Sequence, residues 1–213
     1  MAEGLRERKK RQTRQYISDV ATGMFLARGF DAVTVADVAE AAEVSVNTVY
    51  NYFPAKEDLF FDRSEGILDR LSRFVRGRPA GESAAAAVLR ELREEVEAVS
   101  PRVGLMEGYD QFMRVVHGAP TLKARLWYLQ QEIHLNLEET LRKETGAAAD
   151  DPLPGLMAGQ IGWVHQSLMG WISQQMLDGR KPAEVSREAL GLLDEMADLL
   201  GEKVLNYAVR TTD

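Results

Sequence analysis

Cysteine is absent from this chain of 213 residues, so no disulfide framework, thiolate nucleophile or thiolate metal ligand is available. That usage fits a reducing compartment, and the cytoplasm is the expected location. Long apolar runs are missing as well. No stretch approaches the roughly 18–20 residues needed to span a bilayer, so no membrane partner is expected. The first fourteen residues are charged rather than apolar, which does not read as a secretory signal. Glycine-rich phosphate loops are lacking: there is neither a GxGxxG nor a P-loop pattern. Sustained period-two alternation is lacking too, which removes any strand and leaves an all-α chain.

What is present repeats apolar residues at helical spacing nearly throughout. The spacing predicts helices over Arg6–Arg28, Val35–Ala42, Val46–Tyr52, Lys56–Arg76, Glu82–Val99, Arg102–His117, Thr121–Glu144, Leu156–Leu177 and Ala183–Val209. Proline and glycine punctuate them at Pro54, Gly77–Gly81, Pro101, Gly118–Pro120, Gly146–Pro154 and Gly179–Pro182. Ile17, Val20, Ala21, Met24 and Phe25 form the buried stripe of the first helix, with Gly29 and Phe30 closing its end. Acidic side chains outnumber basic ones, for a formal net charge of −7, which argues at first against a nucleic-acid partner. The distribution reverses that argument. Residues 1–15 carry +4 through Arg6, Arg8, Lys9, Lys10, Arg11 and Arg14, and the rest carries −11: a basic arm on an acidic body.

The segment 34–53, TVADVAEAAEVSVNTVYNYF, reads as two short helices capped by Thr34 and Ser45 and joined by a tight turn. Neither buries much alone, so both need the first helix, giving a tri-helical helix-turn-helix unit. With Val49 inward, Asn47, Tyr50 and Asn51 point outward, Ser45 and Thr48 stand near the start, and Val46 is exposed among them. This uncharged hydrogen-bonding face suits phosphate oxygens, base edges and a thymine methyl; a plain polar helix face is the alternative. Phe25–Phe30, Thr34–Ala39, Val44-Ser45, Thr48–Phe53 and Lys56–Phe60 resemble the DNA-binding region of the tetracycline-repressor (TetR) family of bacterial regulators. The resemblance implies that Thr34, Ser45, Thr48, Tyr50, Tyr52 and Lys56 touch phosphate backbone or groove, while Val46, Asn47 and Asn51 read bases. Two residues depart from the family pattern: Glu43 at a turn position where glycine is common, and Ala55 where a capping Ser or Asn is common.

The same resemblance implies a DNA-binding domain over residues 1–55 and a larger helical ligand-sensing and dimerising domain over 56–213. It also implies a palindromic double-stranded DNA operator, a homodimer and a small-molecule effector. The segment Leu156–Leu177 is apolar on almost all sides, which suggests core on one side and a subunit interface on the other. Ile161, Leu168, Ile172, Leu193, Leu200 and Val204 are the expected interface, with an intrachain core as the alternative. Convergent aromatic and polar residues on the middle helices, Met106, Tyr109, Phe112, Met113, Trp127, Gln130, His134, Trp163 and Gln166, form the expected pocket for a mostly apolar or aromatic effector. The same stripe also suits plain core. A regulator without an effector is the main alternative. A helical-bundle enzyme is disfavoured, because the chain has no paired Glu-x-x-His motifs. His134 and Glu138 are spaced i, i+4, but only as isolated neighbours, so no cofactor and no metal are expected.

Overall fold

The computed structural model describes residues 4–62 and 65–211, and all of its regular elements are helical. They are α1 (Leu5–Arg28), α2 (Val35–Ala41), α3 (Val46–Tyr52), α4 (Lys56–Phe60), α5 (Glu65–Leu68), α6 (Arg70–Gly77) and α7 (Ala84–Glu97), followed after a 3₁₀ turn (Pro101–Val103) by α8 (Tyr109–Gly118), α9 (Pro120–Thr145), α10 (Leu153–Leu177), α11 (Pro182–Asp198) and α12 (Glu202–Leu205). Among the described residues no helix is long and apolar enough to cross a membrane. The chain forms two compact units: the residues up to Asp62 with Arg114–Leu126, and Glu65–Met113 with the residues from Trp127 on.

In the first unit Ile17, Ala21 and Phe25 recur every four residues along α1 and are fully buried. Gly29, at φ 85°, ends the helix and donates its N–H to the Phe25 carbonyl at 2.9 Å. Phe30 folds back so that its ring lies 4.9 Å from that of Phe25. Val38, Ala39 and Val49 complete the tri-helical core from α2 and α3. Helix α4 packs here too. Leu59 and Phe60 are buried, Ser18 donates its hydroxyl to the Leu59 carbonyl at 3.2 Å, and Arg125 reaches Asp58 at 3.0 Å. Helix α4, which the sequence reading assigned to the second domain, thus packs within the first unit.

The second unit is built around α10, which packs against α7, α11 and α12. Its core joins Leu92 and Val96 of α7, Leu137 and Leu141 of α9, Val164 of α10 and Ala189 of α11. Arg78 is buried just after α6. It donates to the carbonyls of Val75, Glu82 (3.2 Å) and Ala208 (2.8 Å) and to the Glu144 carboxylate (2.9 Å). Backbone bonds between Gly81 and Arg210 (2.8 Å) and between Arg210 and Glu82 (3.0 Å) fasten the C-terminal segment to the same loop. A stretch that sequence marks as a plain loop is thus pinned by a buried guanidinium.

Four expectations are corrected. Lys56–Arg76 is not one helix. Leu59, Phe60 and Phe61 are all buried, yet three successive side chains fan over about 200° of a helix. The chain accordingly leaves the helix at Phe61 (φ −103°, ψ 19°) and turns again at Asp69; Arg63 and Ser64, within the expected helix, lie outside the described residues, as do Met1–Glu3 of the expected arm. Nor does Arg102–His117 run unbroken: Gly104 and Gly108 adopt φ 81° and 80°, and α8 begins at Tyr109. The Tyr109 ring covers Gly104, where a Cβ would fall 2.7 Å from it. The expected Ala183–Val209 helix stops at Asp198, and the extended backbone of Gly201 starts α12. Finally, Ile161, Leu168, Ile172, Leu193, Leu200 and Val204 do not face a subunit interface. None is more than 7% exposed, and all six fill the core of one chain. Each such burial contributes about 1.5–3 kcal/mol, so this unit's own stability consumes that face.

Candidate nucleic-acid interface

The two short helices α2 and α3 owe their existence to their caps. Thr34 Oγ1 accepts the Asp37 N–H at 3.1 Å, and the Asp37 carboxylate accepts the Thr34 N–H at 2.7 Å, a reciprocal capping box. The backbone and hydroxyl of Thr34 hold the Asp37 carboxyl below the usual carboxylate range. Ser45 Oγ accepts the Thr48 N–H at 3.0 Å, and the two hydroxyls lie 2.7 Å apart. Between the helices the Val44 N–H reaches the Ala39 carbonyl (2.9 Å) and the Glu43 N–H that of Glu40 (3.1 Å). This is a Schellman turn, and its left-handed position is held by Glu43 at φ 55°. The residue that departs from the family pattern does sit where glycine is favoured.

The outward face of α3 matches the sequence reading in placement. Val49 is buried, whereas Ser45, Val46, Asn47, Tyr50 and Asn51 are exposed and Thr48 and Tyr52 are half-buried. Thr34 is exposed at the start of α2. Lys56 differs in character from the rest. Its Nζ donates to the Phe30 carbonyl at 2.6 Å and lies 4.0 Å from the Phe30 ring centroid and 5.5 Å from that of Phe25. Burial lowers its pKa, against the pull of Asp31, Glu57 and Asp37. The ammonium thus ties the start of α4 to the α1–α2 turn. Arg14 acts alike beside Phe53, the residue that ends α3: its guanidinium lies 5.1 Å from the Phe53 ring centroid and its Nε 2.6 Å from Asp62. Arg6, Arg8, Lys9, Lys10 and Arg11 are exposed on the first turns of α1, so the basic residues continue a helix rather than form a detached arm. Sequence reading missed the more than half exposed Tyr16 on the same helix; its place beside, not on, the Ile17/Ala21/Phe25 stripe was the available signal.

The residues expected to line a pocket are dispersed in exposure. Met113 is buried; Tyr109, Phe112, Gln130 and His134 are half-buried; Met106, Gln166, Trp127 (54%) and Trp163 (41%) are exposed. Tyr109 and Phe112 stack with centroids 6.2 Å apart, and Gln166 donates to Gln130 at 3.0 Å, linking α10 to α9. The two tryptophans therefore do not wall an enclosed cavity. His134 and Glu138 lie against the glycines of α10: a Cβ at Gly159 would be 3.8 Å from His134 Cε1, and one at Gly155 would be 3.1 Å from Glu138 Oε2. Glu138 is ion-paired with Arg142 at 2.8 Å. Among the described residues no three His, Asp or Glu side chains gather as a metal site.

A family model described as bacterial regulatory proteins, tetR family, matches residues 17–62, which span α2, α3 and α4 and the later part of α1. The HTH-type transcriptional regulator TcmR of Streptomyces glaucescens is 32% identical over 153 residues, covering 70% of this chain and 67% of that protein. Two solved structures share the fold at low identity. NalD, the secondary repressor of the MexAB-OprM multidrug efflux pump in Pseudomonas aeruginosa, superposes with a TM-score of 0.54 at 15% identity, over 87% of this chain and 96% of that one. The SmeT–triclosan complex superposes with a TM-score of 0.55 at 14% identity, over 91% and 94%. With its helix-turn-helix inside the matched region and a TcmR-like sequence well beyond it, the chain belongs to the tetR family of bacterial regulators, as a DNA-binding transcriptional regulator and not an enzyme.

Proposed function

We propose that this regulator is a cytoplasmic repressor that binds a palindromic operator as a homodimer and is released by a small molecule. The observation that carries the reading is the capped α3, whose exposed side chains Ser45, Val46, Asn47, Tyr50 and Asn51 are all uncharged hydrogen-bonding or apolar groups. Asn47 and Asn51 offer the paired donor and acceptor that match an adenine edge, and Val46 the contact that matches a thymine methyl. Thr34, Ser45, Thr48, Tyr50 and Tyr52 supply neutral contacts to the phosphate backbone, and the basic first turns of α1 supply the attraction that salt screens. Lys56, with its ammonium engaged on Phe30, positions the unit.

The homodimer reading moves to a different face from the six buried core residues. On α10 the exposed positions Leu156 (63%), Trp163 and Gly170 follow one another at helical spacing, and Leu199 stands out at the end of α11. Such apolar side chains are costly to leave in water. A dimer would set two α3 helices about 34–36 Å apart on one face of the duplex. The effector part draws on the triclosan bound to SmeT and on the role of NalD as an efflux-pump repressor. Selection of bound duplexes from a random pool tests the whole reading. A two-fold symmetric consensus, with affinity falling steeply as salt rises, is expected. A selected pool without symmetry refutes the dimeric operator, and salt-independent binding refutes the electrostatic role of α1.

A further inference from the structure

Within the second unit α9 has two apolar faces, and the unit's own core uses one of them. Leu129, Ile133, Leu137 and Leu141 recur every four residues and are buried, the last three in the core around α10. On the outer face Tyr128 and Leu135 follow one another two turns apart and stand 58% and 59% exposed. Trp127 widens this stripe: it is 54% exposed, and its ring meets that of Tyr128 edge-on with centroids 5.1 Å apart. With the exposed Gln131, Trp127 and Leu135 make one i, i+4 ridge of the kind that packs against another helix. Large apolar side chains gathered on one outward face mark a contact surface.

The chemistry of this face defines what would cover it, because its groups are complementary to themselves about Leu135. Trp127 and Tyr128 stand eight and seven residues before Leu135, and Arg142 and Lys143 stand seven and eight residues after it. Gln131 and Glu139 lie four residues away on either side, both exposed. The half-buried Arg142 is held in place by Glu138 at 2.8 Å and by the carbonyls of Ala148 and Asp151, while the exposed Lys143 pairs with Glu139 at 3.0 Å. Two such helices set antiparallel, with Leu135 on the two-fold axis, bring the aromatic pair of each copy against the basic pair of the other. Both pairs lie about 10–12 Å along the helix from the axis. Cations are attracted to aromatic faces, and Gln131 meets the other copy's Glu139 as donor to acceptor. A parallel arrangement would instead set cation on cation. The antiparallel contact is isologous: one patch serves both copies.

We propose that the outer face of α9 is a self-association surface whose partner is a second copy of this chain, docked antiparallel with Leu135 against Leu135. The surface is separate from the α10 face of the homodimer proposed above, so the two together carry assembly beyond the dimer. Sedimentation velocity on the full-length chain, at a fixed micromolar concentration, reads the step. Leu135→Glu and Leu135→Arg each bring like charges together on the two-fold axis, and each should lower the wild-type mass at least twofold. An equimolar mixture of the two variants should restore it, because Glu then meets Arg. Lys143→Ala removes the cation from both symmetric ends and should weaken association about tenfold. All three positions are exposed, and circular dichroism verifies that the variants fold. Trp163→Glu, on the α10 face, tests the homodimer separately.

The proposal is overturned if the Leu135 variants sediment as wild type does, or if their mixture stays as small as either alone. Lys143→Ala associating as tightly as wild type refutes the antiparallel register, and the proposal with it. An assembly that Trp163→Glu splits and Leu135→Glu leaves intact upholds the α10 homodimer and refutes the α9 surface. The converse, sensitivity to Leu135→Glu with indifference to Trp163→Glu, upholds the α9 surface and refutes the α10 face. A wild-type chain that remains monomeric refutes both.

Discussion

His165, a half-buried residue whose Nε2 is fully enclosed, gives the fold a measurable dependence on pH. His165 is held neutral by burial in the second unit, with Arg70⁺, itself paired with Glu95, adding a smaller push, and its pKa falls from 6.5 to about 4. The unfolded chain, with an ordinary imidazole, binds a proton that the folded chain refuses between these two values. The sign follows from linkage: the stability contributed by the neutral ring is complete above pH 6.5 and declines as pH falls through the window toward 4. At roughly 1.4 kcal/mol per pKa unit, the full loss is about 3 kcal/mol, and about 2 kcal/mol of it is reached by pH 5. His165→Phe removes the titrating group while keeping a planar ring. Urea unfolding of both proteins at pH 7.5 and pH 5, at one fixed concentration, isolates the effect, because carboxylates that titrate in both proteins cancel in the difference. Wild type should lose about 2 kcal/mol more than the variant. Equal losses would mean that His165 is protonated in the folded state and that the neutral-imidazole argument is wrong.

Three further outcomes follow from the first unit. Glu43→Gly should stabilise the fold by about 0.5–1 kcal/mol, since release of left-handed strain at φ 55° exceeds the added entropy of glycine; a lower urea midpoint would show that Glu43 is not strained. Ala55→Ser should add about 0.5–1 kcal/mol, because the Asp58 carboxylate already accepts the Ala55 N–H at 3.1 Å and only the reciprocal side-chain acceptor is missing. No rise in thermal midpoint would count against that geometry. Lys56→Met should destabilise the unit by about 1–2 kcal/mol through loss of the Phe30 carbonyl bond and ring contacts, and should leave the salt slope of operator binding unchanged. A slope reduced by about one unit would instead assign the ammonium to a phosphate.

Local chemistry was legible in the sequence wherever the cause lay within a few residues. The Ile17/Ala21/Phe25 repeat, the Gly29 stop and the Thr34 and Ser45 caps are contained in single turns, and all were found in place. The all-helical class and the helix-turn-helix follow from these. Legibility ended where distant partners decide. Nothing near Lys56 announces that its ammonium will settle on Phe30, 26 positions earlier, or that Arg78 will be buried against a carbonyl 130 positions later. The long helix expected after Lys56 failed because Leu59, Phe60 and Phe61 have to bury in different directions. Apolar periodicity at Ile161, Leu168 and Ile172 correctly signalled burial, but periodicity does not name the partner, and that partner is this chain's own core. The polar cluster around Arg70 and His165 escaped notice for the opposite reason: a charged residue near a presumed helix surface carries no local mark of burial.

The placement of cations separates two tasks that the amino-acid composition blends. In the first unit Arg14 and Lys56 are both engaged internally, on Phe53 and Asp62 and on Phe30. Arg14 thereby steadies the end of a seven-residue helix too short to keep its orientation alone, and Lys56 the start of α4. Exposed basic residues stand on the first turns of α1, while α3 itself presents only neutral groups. In the function proposed above, attraction that salt screens and contacts that distinguish bases would thus be carried by different helices. The acidic side chains that make the net charge negative lie in sequence mostly outside this basic stretch. A net charge of −7 is therefore compatible with DNA binding: the sign that matters is that of the helix presented to the phosphates, and the fold sets that locally.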